Sequence, residues 1–110
     1  MTFNEYQQLA QRTANTDIRV GKLINGMLGL FGESGECADL IKKHVFQGHG
    51  LDEAHLAEEL GDVLWYIAET ASGLGVNLET IAQNNIDKLR RRYPDGFDAQ
   101  RSINREACEE

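Results

Sequence analysis

The feature that most narrows the fold is the run in which Leu56, Leu60, Val63, Leu64, Ile67 and Ala71 recur at steps of three and four residues. That spacing lines one stripe of a helix, its expected core face, and does not fit the two-residue alternation of a half-buried strand. Asp52 stands before the run as a cap for the free amides of the first turn, and Gly73 and Gly75 follow it. A second run upstream, with Leu23, Met27, Leu30, Ile41 and Val45 on helical steps, ends at Gln47-Gly48-His49-Gly50. Gly21, Gly26, Gly29, Gly32 and Gly35 interrupt it, each costing about 1 kcal/mol against Ala in a helix interior. So many glycines predict close packing, or a bend, where the acidic residues begin.

Two further helices complete the pattern. Thr2-Phe3-Asn4-Glu5 has the hydroxyl and glutamate of a capping box and predicts a first helix to about Ala14. Asn77 caps a last helix through about Arg92, and Tyr93-Pro94-Asp95-Gly96 stops it. With one proline in 110 residues and short connections, these elements predict an all-α chain, an antiparallel four-helix bundle over residues 1–98 with a polar tail at 99–110.

A net charge of −7 argues against a nucleic-acid backbone or an anionic membrane as the partner, because both require a cationic face. No basic segment followed by an apolar run opens the sequence, and no apolar stretch nears the roughly 20 residues that span a bilayer. A cytoplasmic location is expected. Cys37 and Cys108 have neither zinc nor redox spacing and read as plain thiols.

The chemistry concentrates in acids. Glu33 and Glu36 are three apart on one helix, and Glu59 and Asp62 are three apart on the next, so each pair shares a face. Glu59 sits about 80° from the centre of the apolar stripe, at its boundary. In a hairpin folded at the Gly48–Asp52 turn the two pairs come level. Taken singly, each reads equally well as a solvated surface acid. Facing one another in a half-buried groove, four carboxylates repel by several kcal/mol or take up protons unless a cation lies between them. Oxygen ligands suit a hard ion, and Mg²⁺ accepts phosphate oxygens while keeping waters. A ferritin-like di-iron bundle wants Glu-x-x-His pairs, and the nearest approach, Asp52 to His55, lies at a helix start.

The segments Gly-Glu-Ser-Gly-Glu-Cys-Ala-Asp-Leu-Ile-Lys-Lys (32–43), Glu-Glu-Leu-Gly-Asp-Val-Leu-Trp-Tyr (58–66) and Asn-Ile-Asp-Lys-Leu-Arg-Arg-Arg-Tyr-Pro-Asp-Gly-Phe (85–97) resemble the MazG-type nucleoside triphosphate pyrophosphohydrolases, over nearly the whole chain. One departure is Gly32, where many members carry a further Glu, which leaves the number of metal ions open. The resemblance implies an all-α enzyme, assembled as a homodimer or homotetramer. It implies Mg²⁺, with Mn²⁺ as a possible substitute, and cleavage of an NTP or dNTP to the monophosphate and pyrophosphate. It makes Glu33, Glu36, Glu59 and Asp62 the catalytic metal ligands, and Tyr66 an aromatic of the nucleobase pocket.

Asn85 and Lys88, one turn apart, can reach a polyphosphate, and Arg92 or Arg91 adds a planar fork for its oxygens; a basic run at a helix end also simply complements the dipole. Lys42 and Lys43 follow Glu36 and either flank phosphates or form a solvated face. Trp65 points away from the apolar stripe, which leaves it exposed in a monomer and suggests an interface. His44, His49 and His55 read as polar residues of the turn, with His44 a possible phosphate contact. The Ala99–Arg105 stretch is expected to close over a site through Arg101 and Arg105. The alternative to an enzyme is a non-catalytic metal-binding or interaction bundle.

Overall fold

The computed structural model describes residues 1–105, and every regular element among them is helical: α1 (Phe3–Ala10), α2 (Arg19–Phe46), α3 (Glu53–Leu74), α4 (Leu78–Arg92) and α5 (Ala99–Ile103), with one 3₁₀ turn at Gln11–Thr13. None of these helices is long and apolar enough to cross a membrane. The described chain forms two compact units, one over 1–77 and one from 78 onward.

The first unit is a hairpin of α2 and α3 with α1 laid against it. Its helices start and stop for local reasons. Thr2 Oγ1 accepts from the Glu5 amide at 3.0 Å, and an Asp52 carboxylate oxygen accepts from the His55 amide at 3.0 Å. Gly75, at φ 72°, closes α3 in the left-handed conformation that glycine adopts without strain. Despite its glycines α2 runs unbroken for 28 residues. Two of them explain the close approach of α3. A Cβ at Gly26 would lie 2.1 Å from Thr70 Oγ1, and one at Gly29 would lie 2.1 Å from the Tyr66 ring.

Polar side chains fix α1 in place. Gln7, nearly buried, donates to Ser72 Oγ at 3.2 Å and to the Val76 carbonyl at 2.9 Å. Arg19 Nε donates to the Gly73 carbonyl at 2.9 Å, tying the start of α2 to the end of α3. Lys22 Nζ pairs at 3.2 Å with Glu69, whose side chain is 0% exposed, and also donates to Gln11 Oε1.

Two expectations need correcting. The stripe expected to form the core of α3 is largely not buried: Ala71 is 1% exposed, but Leu60 is 55% exposed, and Leu56, Val63, Leu64 and Ile67 are half-buried. Of the apolar residues expected on α2, Met27, Ile41 and Val45 are exposed. Trp65, by contrast, does not face outward. It is half-buried, and its Nε1 donates to the Ala10 carbonyl and to Thr13 Oγ1, both at 3.0 Å. The return of α1 along that side supplies these partners.

In the second unit, α4 ends at Tyr93-Pro94, and Asp98 caps α5 by accepting from the Arg101 amide at 3.0 Å. Arg101 donates through Nε to the Arg92 carbonyl and through Nη2 to the Arg91 carbonyl at 3.2 Å. It therefore satisfies carbonyls that the end of α4 leaves unpaired, a role not expected for it. Residues 106–110 of the tail, Cys108 among them, lie outside the described residues.

Candidate active site

Contacts between α2 and α3 run in reverse order, Gly26 with Thr70, Gly29 with Tyr66, and then Glu33 with Glu59. This antiparallel register, set by the close glycine approach, brings the acids together. Glu33, Glu59 and Asp62 each offer a carboxylate oxygen, and those oxygens lie within 4.8 Å of one another. Glu59 is only 8% exposed, Glu33 is half-buried and Asp62 exposed. Glu36, one turn on from Glu33, is exposed and stands outside that trio, yet its carboxylate reaches Glu59.

Crowding shifts the local titrations. The Glu59 carboxyl is pushed above its ordinary range, chiefly by the Glu33 carboxyl against it, with burial and the charges of Glu33 and Asp62 adding and Glu36 partly offsetting. Burial, followed by the charges of Glu59, Glu33 and Glu36, raises the Cys37 thiol. Burial, followed by the charge of Asp62, raises the Tyr6 hydroxyl. Glu33 Oε2 and Glu59 Oε2 are buried without a hydrogen-bond partner among the described residues. His55 Nε2 lies 3.5 Å from the other Glu59 oxygen.

An all-oxygen set with two orphaned buried oxygens fits a hard divalent cation, and it lacks the nitrogen and sulfur donors that zinc prefers. Beside it opens a cavity of about 350 Å³ lined by Thr13, Glu33, Asp62, Trp65 and Tyr66. The Trp65 and Tyr66 rings meet edge to face, 5.1 Å apart at 85°. Such a cavity offers flat apolar walls on one side and carboxylates on the other.

Sequence reasoning missed three of these neighbours. Thr13 and Tyr6 come from the N-terminal segment, whose capping box at Thr2–Glu5 signals a helix start and no chemistry. His55 reaches Glu59 at i,i+4, a spacing visible in the sequence. Among the other expected site residues, Asn85 and Lys88 line a groove of about 460 Å³ on the second unit with Ile81, Asn84 and Arg91. The Arg92 carbonyl accepts from Arg101. Lys42 and Lys43 pair with Asp39 at 3.5 and 2.8 Å, and these cations hold its carboxyl below the usual range, Lys43 foremost. His44 Nδ1 lies 2.8 Å from the His49 carbonyl oxygen across the turn.

Residues 23–97, which carry both acidic pairs and the Asn85–Lys88 turn, match the MazG nucleotide pyrophosphohydrolase domain. The chain belongs to the MazG family. Among known proteins, the Gene 37 protein of Mycobacterium phage L5 is 41% identical over 73 residues, 63% of this chain and 64% of that protein. The chain thus spans just under two thirds of that relative's length. No solved structure matches it. The MazG match begins at Leu23, so Tyr6 and Thr13 lie ahead of the matched residues.

Proposed function

We propose that this MazG domain hydrolyses nucleoside triphosphates, NTP or dNTP, to the monophosphate and pyrophosphate. In this reading Glu33, Glu36, Glu59 and Asp62 hold Mg²⁺, for which Mn²⁺ can substitute. The observation that carries the reading is the convergence of three carboxylates from two helices within 4.8 Å, with two of their buried oxygens left unpartnered. The ion supplies charge neutralisation for phosphate oxygens and a lowered pKa for a bound water. It also accounts for how a chain of net charge −7 takes a polyanion.

The protein's own groups do the rest. Glu33, the most central carboxylate of α2, and Glu59, nearly buried on α3, hold their oxygens on two rigid helices, which fixes where a phosphate can sit. Tyr66 and Trp65 wall the cavity beside the acids, where a base or sugar packs against their faces. The roles of Asn85, Lys88 and Arg92 are hydrogen bonds and charge for the polyphosphate. As in the resemblance, the working unit is a homodimer or homotetramer.

A nucleotide panel tests this. Purified protein with millimolar Mg²⁺ is expected to release pyrophosphate from at least one NTP or dNTP, and to release none with EDTA. No pyrophosphate from any nucleotide, with either Mg²⁺ or Mn²⁺, would favour the non-catalytic bundle.

A further inference from the structure

The cavity beside the acids is built by the hairpin, with one exception. Glu33 comes from α2, and Asp62, Trp65 and Tyr66 come from α3, whereas Thr13 comes from the 3₁₀ turn after α1. That turn precedes the stretch matched to the MazG domain. What Thr13 brings is a hydroxyl committed on both sides. Its Oγ1 donates to the Ala10 carbonyl at 3.2 Å and accepts from Trp65 Nε1 at 3.0 Å, and Nε1 also donates to the same Ala10 carbonyl at 3.0 Å. The bond to Ala10 turns the hydroxyl proton away from the indole, so a lone pair is what Trp65 meets. An indole has one donor and no acceptor. This triangle therefore occupies the only polar atom of the ring and pins that edge.

The other aromatic wall is held by different means. Tyr66 lies against Gly29, where a Cβ would stand 2.1 Å from its ring. The two rings thus keep their edge-to-face corner, 85° between planes, through one contact made within the hairpin and one made from outside it. Neighbours of Thr13 that do not line the cavity keep the turn in place. Gln11 accepts from Lys22, which is paired with the fully buried Glu69, and Gln7 donates to Ser72 and to the Val76 carbonyl.

We propose that Thr13 is a positioning residue for nucleotide binding, its hydroxyl holding the Trp65 indole ready as a stacking wall for the base or sugar. Trp65 is half-buried, and a ring free to swing has to be immobilised by each ligand, at a cost of roughly two- to tenfold in affinity. Thr13 removes that cost in advance. A wall whose donor is already spent on the protein reads no hydrogen-bonding edge, so purines and pyrimidines share the gain. The effect is separate from the metal chemistry, because the hydroxyl's bonds go to Ala10 and Trp65 rather than to a carboxylate.

Stability alone does not call for the hydroxyl. Thr13 is exposed, and without its oxygen Trp65 Nε1 keeps the Ala10 carbonyl. No buried donor is orphaned, so the fold should be little affected by its loss.

Trp65 is the only tryptophan of the chain, which makes fluorescence a reporter of this one ring. In full-length protein without nucleotide or metal, Thr13→Val is expected to raise acrylamide quenching about twofold or more, with unchanged helical circular dichroism. Thr13→Ser, which keeps the oxygen, should stay at the wild-type value. With Mg²⁺, Thr13→Val should raise KM about three- to tenfold for each nucleotide that the wild type hydrolyses, at a kcat within about twofold.

Trp65→Phe keeps an aromatic wall and removes the donor, which closes a double-mutant cycle. In that background Thr13→Val should add less than about twofold to KM. The same rise as in wild type would show that Thr13 acts on something other than Trp65 and would overturn the proposal. So would a fall in kcat at unchanged KM, or a Thr13→Val protein that loses helical circular dichroism, which would make the hydroxyl structural. The proposal rests on the nucleotide reading of the cavity, and the two fail differently. Wild type that releases no pyrophosphate from any nucleotide sinks that reading, whereas an active wild type with Thr13→Val unchanged in quenching and KM sinks the role of Thr13 alone.

Discussion

The α2–α3 hairpin buries acid at two places, and it treats them differently. At one, Glu69 is fully buried and its carboxylate has a resident cation, Lys22 Nζ at 3.2 Å, itself tied to Gln11. Nearly three turns earlier on α3, Glu59 is nearly as buried but faces Glu33, Glu36 and Asp62, and among the described residues the imidazole of His55 lies 3.5 Å from it. Both places use the same two helices and the same facing surfaces. The fold therefore has the means to neutralise a buried carboxylate with a lysine, and uses it for structure at Glu69. No such lysine faces Glu59 among the described residues, and in the proposed function an external cation would take that place, its absence leaving crowded charge.

The largest expected effect falls on the neutralised side. Lys22→Met leaves Glu69 buried without its partner, which should cost about 3–5 kcal/mol in urea unfolding, while Glu69→Gln in the same background should recover most of it. If Lys22→Met unfolds at the wild-type denaturant midpoint, the pair is not structural and the contrast between the two sites fails.

On the open side the expectation reverses. Glu59→Gln should leave metal-free stability unchanged or slightly higher, since it removes a crowded charge, yet lower pyrophosphate release by about a hundredfold or more. Glu36→Gln, at an exposed acid, sharpens the comparison. Near wild-type turnover and Mg²⁺ dependence in both variants would make these acids ordinary surface groups.

A smaller effect appears in pH dependence. Because the Glu59 pKa is raised in the folded protein, the folded state binds its proton more readily than the unfolded state does. This group's stabilising contribution is complete below its unfolded pKa and is lost as pH rises through the raised folded value. Metal-free wild type should therefore lose stability relative to Glu59→Gln as pH climbs out of the acid range. Asp39, held low by Lys43 and Lys42, contributes in the opposite sense and cancels in the difference between the two proteins. A stability difference that stays flat from acid to neutral pH would mean that Glu59 is not crowded.

Much of this was legible in the residues, and the gaps have physical causes. The caps at Thr2 and Asp52 and the glycine stop at Gly75 are local chemistry, so sequence locates the helix ends to within a residue or two. That the two acidic pairs come level follows from the turn position, but the approach of Glu33 to Glu59 in particular depends on the register set by Gly26 and Gly29. What a stripe packs against is not local information. The Leu56 to Ile67 periodicity identifies a helix face, but it does not say whether the cover lies in the same chain, and in this protomer much of that face is open. Trp65 fails in the same way, since its hydrogen bonds to Ala10 and Thr13 depend on how α1 returns across α3. The Lys22–Glu69 pair spans 47 positions and leaves no spacing signal. Arg101 was expected to close over a site because its partners, the Arg91 and Arg92 carbonyls, depend on how α5 turns back after the Asp98 cap, which no spacing signals.

The central claim is that the Glu33, Glu59 and Asp62 oxygens form a cation site, and thermal melting of the metal-free protein tests it most directly. Addition of Mg²⁺ should raise the melting temperature, corresponding to about 2.7 kcal/mol at a hundredfold excess over Kd. Na⁺ at matched ionic strength should not, and Glu59→Gln should lose most of the response. Superimposable wild-type melting curves with and without millimolar Mg²⁺ would contradict the account.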